Sequence, residues 1–233
     1  MASPAVRARM EAPMKTYQDL AAAKVEIRSR DVAGRTYLQP VLNGEFPSIN
    51  LTPGPASCDV LYGLRTDGLF EKPSFLGGQE SKGREGLSMT VVPGPELKEW
   101  LQKIDAACKE QFFETAKGAA KKAEWQPLVA AKGSLDSEAF KIKVVLGGAR
   151  GLTSITVKKE CGEVVRGSGF DFAKPLIEEH WGFKGARVKL AVKLHSVWSM
   201  SNKAGLTLHA SFAAFQPTQP AVEKDPFEDC LVF

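Results

Sequence analysis

The sequence predicts a mainly β fold, a small antiparallel barrel with one long inserted α-helix. Three observations predict it. Short runs that alternate apolar and polar residues recur before and after a central segment. Glycine and proline are concentrated between residues 34 and 95, as tight turns between short strands require. Only one segment, about 95–122, carries sustained helical spacing. At 233 residues the chain is long enough to bury a proper core.

Residues 1–18 mix Ala, Pro, Arg and Met without periodicity and read as a flexible N-terminal arm. Arg7 and Arg9 give it a faint likeness to a targeting peptide, against which Glu11 and Asp19 count. A single domain then spans 19–215. Val25-Glu26-Ile27-Arg28 alternates, and Thr36 to Leu42 is followed by Asn43-Gly44, a strong hairpin dipeptide, and by Phe46 to Leu51. Cys58 to Leu64 and Leu87 to Val92 are two further strands. Between them Asp67 to Gly86 is polar and glycine-rich and reads as a mobile loop.

Pro93-Gly94-Pro95 ends the last of these strands, and proline is tolerated in the first turn of a helix. Leu97, Trp100, Leu101, Ile104, Cys108, Phe112 and Ala119 fall at helical spacing, with Lys98, Glu99, Gln102, Lys103, Lys109 and Glu110 on the other face. Residues 87–131 hold six acids and six bases, so this helix is for packing. Trp100 and Trp125 belong to it and to the segment behind it, and read as packing too.

The strand pattern then resumes. Phe140, Ile142 and Val144 share one side of a strand, and Lys141 and Lys143 share the other. Ser154 to Lys158 and Val164-Val165-Arg166 form a hairpin through Cys161-Gly162. A polar-aromatic connection, Phe170 to Gly185, leads to Arg187–Leu194. There Val188, Leu190, Val192 and Leu194 point inward while Arg187, Lys189 and Lys193 point outward. Ser201 to Gly205 turns the chain into Leu206–Phe215, with Leu206, Leu208, Ala210 and Phe212 in phase.

Nothing in the sequence supports catalysis. Gly147-Gly148-Ala149-Arg150-Gly151 lies between strands and lacks the helix that would hold a phosphate, so it is a turn. His195 and His209 could be cross-strand neighbours, but no third metal ligand accompanies them. Glu178 and Glu179 are adjacent and do not converge. Cys58, Cys108, Cys161 and Cys230 are far apart, without zinc spacing, and read as reduced thiols. The chain is therefore expected to be a non-enzyme without metal or cofactor. No run approaches the roughly 20 apolar residues of a membrane span, so a soluble, intracellular protein is expected.

Charge gives a positive indication. Residues 132–215 carry 13 Lys+Arg against 7 Asp+Glu. Residues 216–233 form an acidic tail, with Glu223, Asp225, Glu228 and Asp229 against Lys224, ending at Leu231-Val232-Phe233. Such separation suits a surface for a polyanion and a tail that imitates one. Lys141 and Lys143, Lys158 and Lys159, and Arg187, Lys189 and Lys193 come from three strands and would form one basic face. Flat side chains on which bases stack are supplied by Phe170, Phe172, Trp181, Phe183 and Trp198. Trp198 lies at a strand end beside a polar turn, yet in phase with Leu194, so stacking and core roles are both open.

Residues 87–233 resemble the single-stranded DNA-binding replication proteins of short-tailed lytic phages and their viral relatives. The resembling pieces are Leu87-Ser88-Met89-Thr90-Val91-Val92-Pro93 before the long helix, Phe140-Lys141-Ile142-Lys143, and Gly185-Ala186-Arg187-Val188-Lys189-Leu190 with Val197-Trp198 and Lys203-Ala204-Gly205-Leu206-Thr207-Leu208. The acidic tail with its terminal Phe233 completes the set. The resemblance implies an oligonucleotide/oligosaccharide-binding (OB) barrel that coats single strands in replication and recombination of an infected cell, with little sequence preference. Its nucleic-acid contacts would come from Lys141, Lys143, Lys158, Lys159, Arg187, Lys189, Lys193, Trp198, Trp181 and Phe170. It implies a tail, here Glu223, Asp225, Phe227, Glu228, Asp229 and Phe233, that competes with DNA and contacts polymerase and helicase or primase; a homodimer is also expected. This tail is short and its end is more apolar than the family's, and residues 1–86 have no counterpart. The alternatives are a viral assembly module and an RNA-binding OB protein.

Overall fold

The computed structural model describes residues 14–32, 35–64, 86–132, 135–147, 152–159, 161–200 and 202–217. Along the chain come β1 (Lys15–Thr16), β2 (Val25–Val32), β3 (Arg35–Leu42), β4 (Ile49–Asn50), β5 (Cys58–Tyr62) and β6 (Gly86–Val92). Then follow α1 (Pro95–Thr115), β7 (Glu124–Gln126), β8 (Val129–Lys132), β9 (Leu135–Val145), β10 (Ser154–Lys158) and β11 (Val164–Gly167). The last elements are α2 (Phe170–Glu179), β12 (Arg187–Met200) and β13 (Lys203–Gln216).

Five strands close on themselves: β12 pairs with β5, β5 with β6, β6 with β9, β9 with β13, and β13 with β12. Closure removes the open edges that an isolated sheet would expose. The result is an OB-like β-barrel, with α1 inserted between barrel strands β6 and β9. It is not wholly antiparallel, because β9 and β13 run parallel. A parallel pair needs a long crossover, and the chain from β10 to β12 provides it.

The β12–β13 hairpin is the spine. Away from β13, β12 meets β5 at Arg187 and Val188, β4 at Ala191 and Val192, and β3 at Val197. Away from β12, β13 meets β7 at Lys203–Gly205, β9 at Leu208–Ala210 and β10 at Phe212–Phe215. Two register shifts interrupt the hairpin, one leaving Ser211 extra on β13 and one leaving His195 extra on β12. An extra residue reverses the alternation beyond it. Phe212 is thus only half-buried, and Ala213 and Phe215 take the core positions instead. Likewise Val197 turns inward and Trp198 outward.

α1 buries one stripe, Leu97, Trp100, Leu101, Ile104, Cys108 and Phe112, in the core. Its Gln111 side chain accepts from Ile27 N–H (2.8 Å) and donates to the Val25 carbonyl, satisfying part of the outer edge of β2. The helix ends at Thr115, short of Lys122; Gly118 has a φ of +58°, and Gly118–Lys122 continue as a 3-10 helix. α2 is a second helix within what the sequence presents as a connection. Its ten residues include Pro175, which forgoes an internal hydrogen bond, and it buries Ala173, Leu176 and Ile177.

Two further expectations change. Asn43 and Gly44 do form a tight turn, both with positive φ, but it is closed by the single bridge Leu42–Glu45. β3 pairs instead with β2 along its whole length, and β4 joins β12. Within 14–18, part of the segment expected to be a flexible arm, Lys15 and Thr16 pair with β4 and Tyr17 is buried against Trp100, ring centroids 6.0 Å apart; residues 1–13 lie outside the described residues. The tail residues Glu223, Asp225, Phe227, Glu228, Asp229 and Phe233, and the Asp67–Gly86 loop up to residue 85, lie outside the described residues.

Candidate nucleic-acid interface

Strand registry assembles the site. Across the outer face of the barrel, Ser88 of β6 pairs with Lys143 of β9, Lys143 with His209 of β13, and His209 with Lys193 of β12. Residues paired laterally share a face of the sheet, so two lysines and a histidine stand in one row. Lys141 lies two residues from Lys143 on the same side, opposite Thr90. Both β9 lysines are exposed, while Phe140, Ile142 and Val144 beneath them have no exposure at all.

Next to this row is a concavity of about 440 Å³. It is lined by Lys141, Lys143 and Lys203, by Gln126, Pro127 and Leu128, and by the aromatic surface of Trp198. Trp198 belongs here because of the bulge at His195, which turns it outward. Its ring then lies across Gly205: a Cβ at that position would sit 3.1 Å from the indole and 3.1 Å from the Gln126 carbonyl. A side chain there would press the ring or the carbonyl away, and glycine leaves the close approach free.

The 126–128 segment is held from within. Asp105, on the buried face of α1, accepts the Trp125 indole N–H (3.2 Å to either oxygen) and the Leu128 backbone N–H (3.2 Å). Burial raises its pKa, while the bonds from Leu128 and Trp125 and the charge of Lys109 oppose the rise. The sequence marks Trp125 only as packing; its partner is what fixes the groove wall.

Of the residues named from the sequence, Lys141, Lys143 and Trp198 line the concavity, and Lys193 stands in the adjoining row. Lys189 and Arg187 lie farther along the outward side of β12, roughly 13 Å and 20 Å from the His209 row at about 3.3 Å per residue. Lys189 donates to the Gly54 carbonyl (2.7 Å). Lys158 and Lys159 sit at the β10–β11 turn, with Lys159 3.3 Å from the Glu163 carboxylate.

The other rings are elsewhere. Phe183 is core, stacked on Phe215 with centroids 4.1 Å apart. Phe170 and Phe172 are half-buried on α2, their rings over Gly147 and Gly167. Phe170 therefore does not join the groove. Trp181 is 89% exposed, on a turn at the far end of β12 pinned by Leu64 N–H to the Gly182 carbonyl (2.8 Å). Trp181, Gly182 and Phe183 all have positive φ there.

Lys203, His195, His209 and Tyr37 are absent from the sequence-based set. Tyr37 is 40% exposed, one step beyond the Val197–Leu38 bridge and so next to Trp198 on the outer side. Only tertiary pairing brings it there; no local signal exists. Among the described residues no group of three His, Cys, Asp or Glu could hold a metal, and no helix is long and apolar enough to cross a membrane.

No family model matches the chain, and no curated protein does. Among solved structures, the single-stranded DNA-binding protein from bacteriophage Enc34 is similar at 11% identity and a TM-score of 0.38, over 89% of this chain and 98% of that one. The same protein in complex with single-stranded DNA gives 10% and 0.40, over 84% and 97%. Its C-terminal truncation gives 12% and 0.38, over 84% and 97%.

Proposed function

We propose that this protein binds single-stranded DNA without sequence preference and coats strands exposed during replication or recombination. One observation carries the reading: Lys141, Lys143 and Lys203 border the same open concavity as the outward-facing Trp198. Ammonium groups suit phosphates, and an indole laid over a glycine offers a flat face to any base. No base-edge code is needed, so sequence tolerance follows. The face is also that of the second and third barrel strands, where OB-folds bind oligonucleotides.

Lys158, Lys159, Arg187, Lys189 and Trp181 then serve as outlying contacts for a longer strand. The acidic tail, through Glu223, Asp225, Phe227, Glu228, Asp229 and Phe233, competes for the groove and contacts replication partners such as polymerase and helicase, in a homodimer.

A mobility-shift titration with a poly-dT oligonucleotide tests the central claim. Binding is expected at low salt, weakening steeply as salt rises, because each phosphate contact releases condensed counterions and that release gains less free energy at higher salt. Absence of binding at low salt would refute it. A competing RNA strand of equal length distinguishes DNA from RNA preference.

A further inference from the structure

Within the lateral row, the imidazoles of His195 and His209 lie face to face, ring centroids 3.6 Å apart and 11° from parallel. His195 is the extra residue of the β12 bulge, which is why it escapes the alternation and reaches His209 on the neighbouring strand. The pair is bounded by cations on both sides. Lys143 of β9 and Lys193 of β12 are the register partners of His209, Lys141 is the next outward residue of β9, and Ser88 of β6 beyond Lys143 is uncharged.

Two like charges about 4 Å apart repel by about 4 kcal/mol at an effective dielectric of 20. Both rings are therefore disfavoured from carrying charge at the same time. Burial, then Lys143, lowers the pKa of His195. Burial, then His195, then Lys143, lowers that of His209 to about 3. A phosphodiester between the two lysines would offset the cationic part of that depression, of which burial is the larger cause, and its negative charge would favour an imidazolium. His195 is the more exposed ring and the one able to take up a proton. The resulting imidazolium would rest on the neutral face of His209 and donate to the phosphate.

We propose that His195 and His209 form a phosphate subsite at which strand binding is coupled to uptake of one proton. This rests on the strand-binding reading of the groove. The sequence makes the linkage easy to isolate, since the chain has 3 histidines and the third, His180, is stacked on Phe183.

The test is a titration of the full chain with a dT oligonucleotide at constant salt from pH 8 to pH 5.5. It is run for wild type and for His195→Gln, with calorimetry in buffers of different ionisation heat. Wild type is expected to gain about three- to tenfold in affinity as pH falls, with net proton uptake of up to about one. His195→Gln, an exposed change, is expected to flatten both. A wild type that binds with no proton uptake, or a His195→Gln variant with the wild-type profile, overturns the subsite and leaves the groove intact. A wild type that fails to bind at any pH overturns the groove itself, and the subsite with it.

Discussion

β9 and β10 look alike in sequence and differ in what surrounds them. Each runs parallel to β13; β9 carries Lys141 and Lys143, while β10 ends at Lys158 with Lys159 just beyond it. On β9 the lysines flank a concavity whose other sides come from β6, the 126–128 segment and the β12–β13 hairpin. On β10 they lie at a turn beside β11, and Lys159 has Glu163 as its own counter-ion. Alternation says which way a lysine points. It does not say whether anything hollow lies in front of it.

The largest effect expected from this contrast is on charge reversal. Lys141→Glu with Lys143→Glu should weaken binding of a short dT oligonucleotide by about 100-fold or more at low salt, whereas Lys158→Glu with Lys159→Glu, outlying contacts that a short strand does not reach, should stay within about threefold. Equal losses in a filter-binding assay would erase the distinction between the two strands. Aromatic substitution sharpens it next. Trp198→Ala should cost about tenfold in affinity, within the roughly 1–3 kcal/mol of one stacked base. Trp181→Ala should change binding of a short oligonucleotide by no more than about twofold, and tryptophan quenching measured on each variant would show which indole the strand covers.

The groove wall can be tested through stability. Asp105→Ala leaves two buried N–H donors without their acceptor and should cost about 1–3 kcal/mol in urea unfolding. Asp105→Asn retains one acceptor oxygen and should cost less. Lys203→Gln should lower the salt slope of binding by about one, as expected for one lost phosphate contact. A smaller effect concerns pH. His209 falls from 6.5 to about 3 on folding, so the unfolded chain takes up the proton first. The stability its neutral ring confers is complete above the unfolded value and is lost as pH falls from there toward the folded one. The urea midpoint should drop between pH 7 and pH 5, and a His209→Gln variant should show a shallower drop.

Much of the barrel was legible because its strands alternate and its long helix carries one apolar stripe. Residues 187–194 show this best, with Val188, Leu190, Val192 and Leu194 all buried. The site was less legible, for a definite reason. Phase alone groups Trp198 with Leu194, and a single added residue, His195, reverses that assignment. The same kind of shift exchanges Phe212 for Phe215 in the core. Bulges carry no composition of their own here, so no propensity reveals them. α2 was hidden by its brevity and by Pro175. Lys203 lies beside the 126–128 segment through the pairing of β13 with β7, segments far apart in the chain, which local pattern does not encode.

The spine hairpin has a consequence for how the protein comes into being. Residues 187–216 bond to β3, β4, β5, β7, β9 and β10, yet they leave the ribosome after all of them. Until then the nascent chain can hold local hairpins but cannot shut its cylinder, and its strands wait with bare margins. Folding should therefore be a late, slow event governed by long-range closure, and a chain cut short before residue 187 should accumulate as sticky fragments.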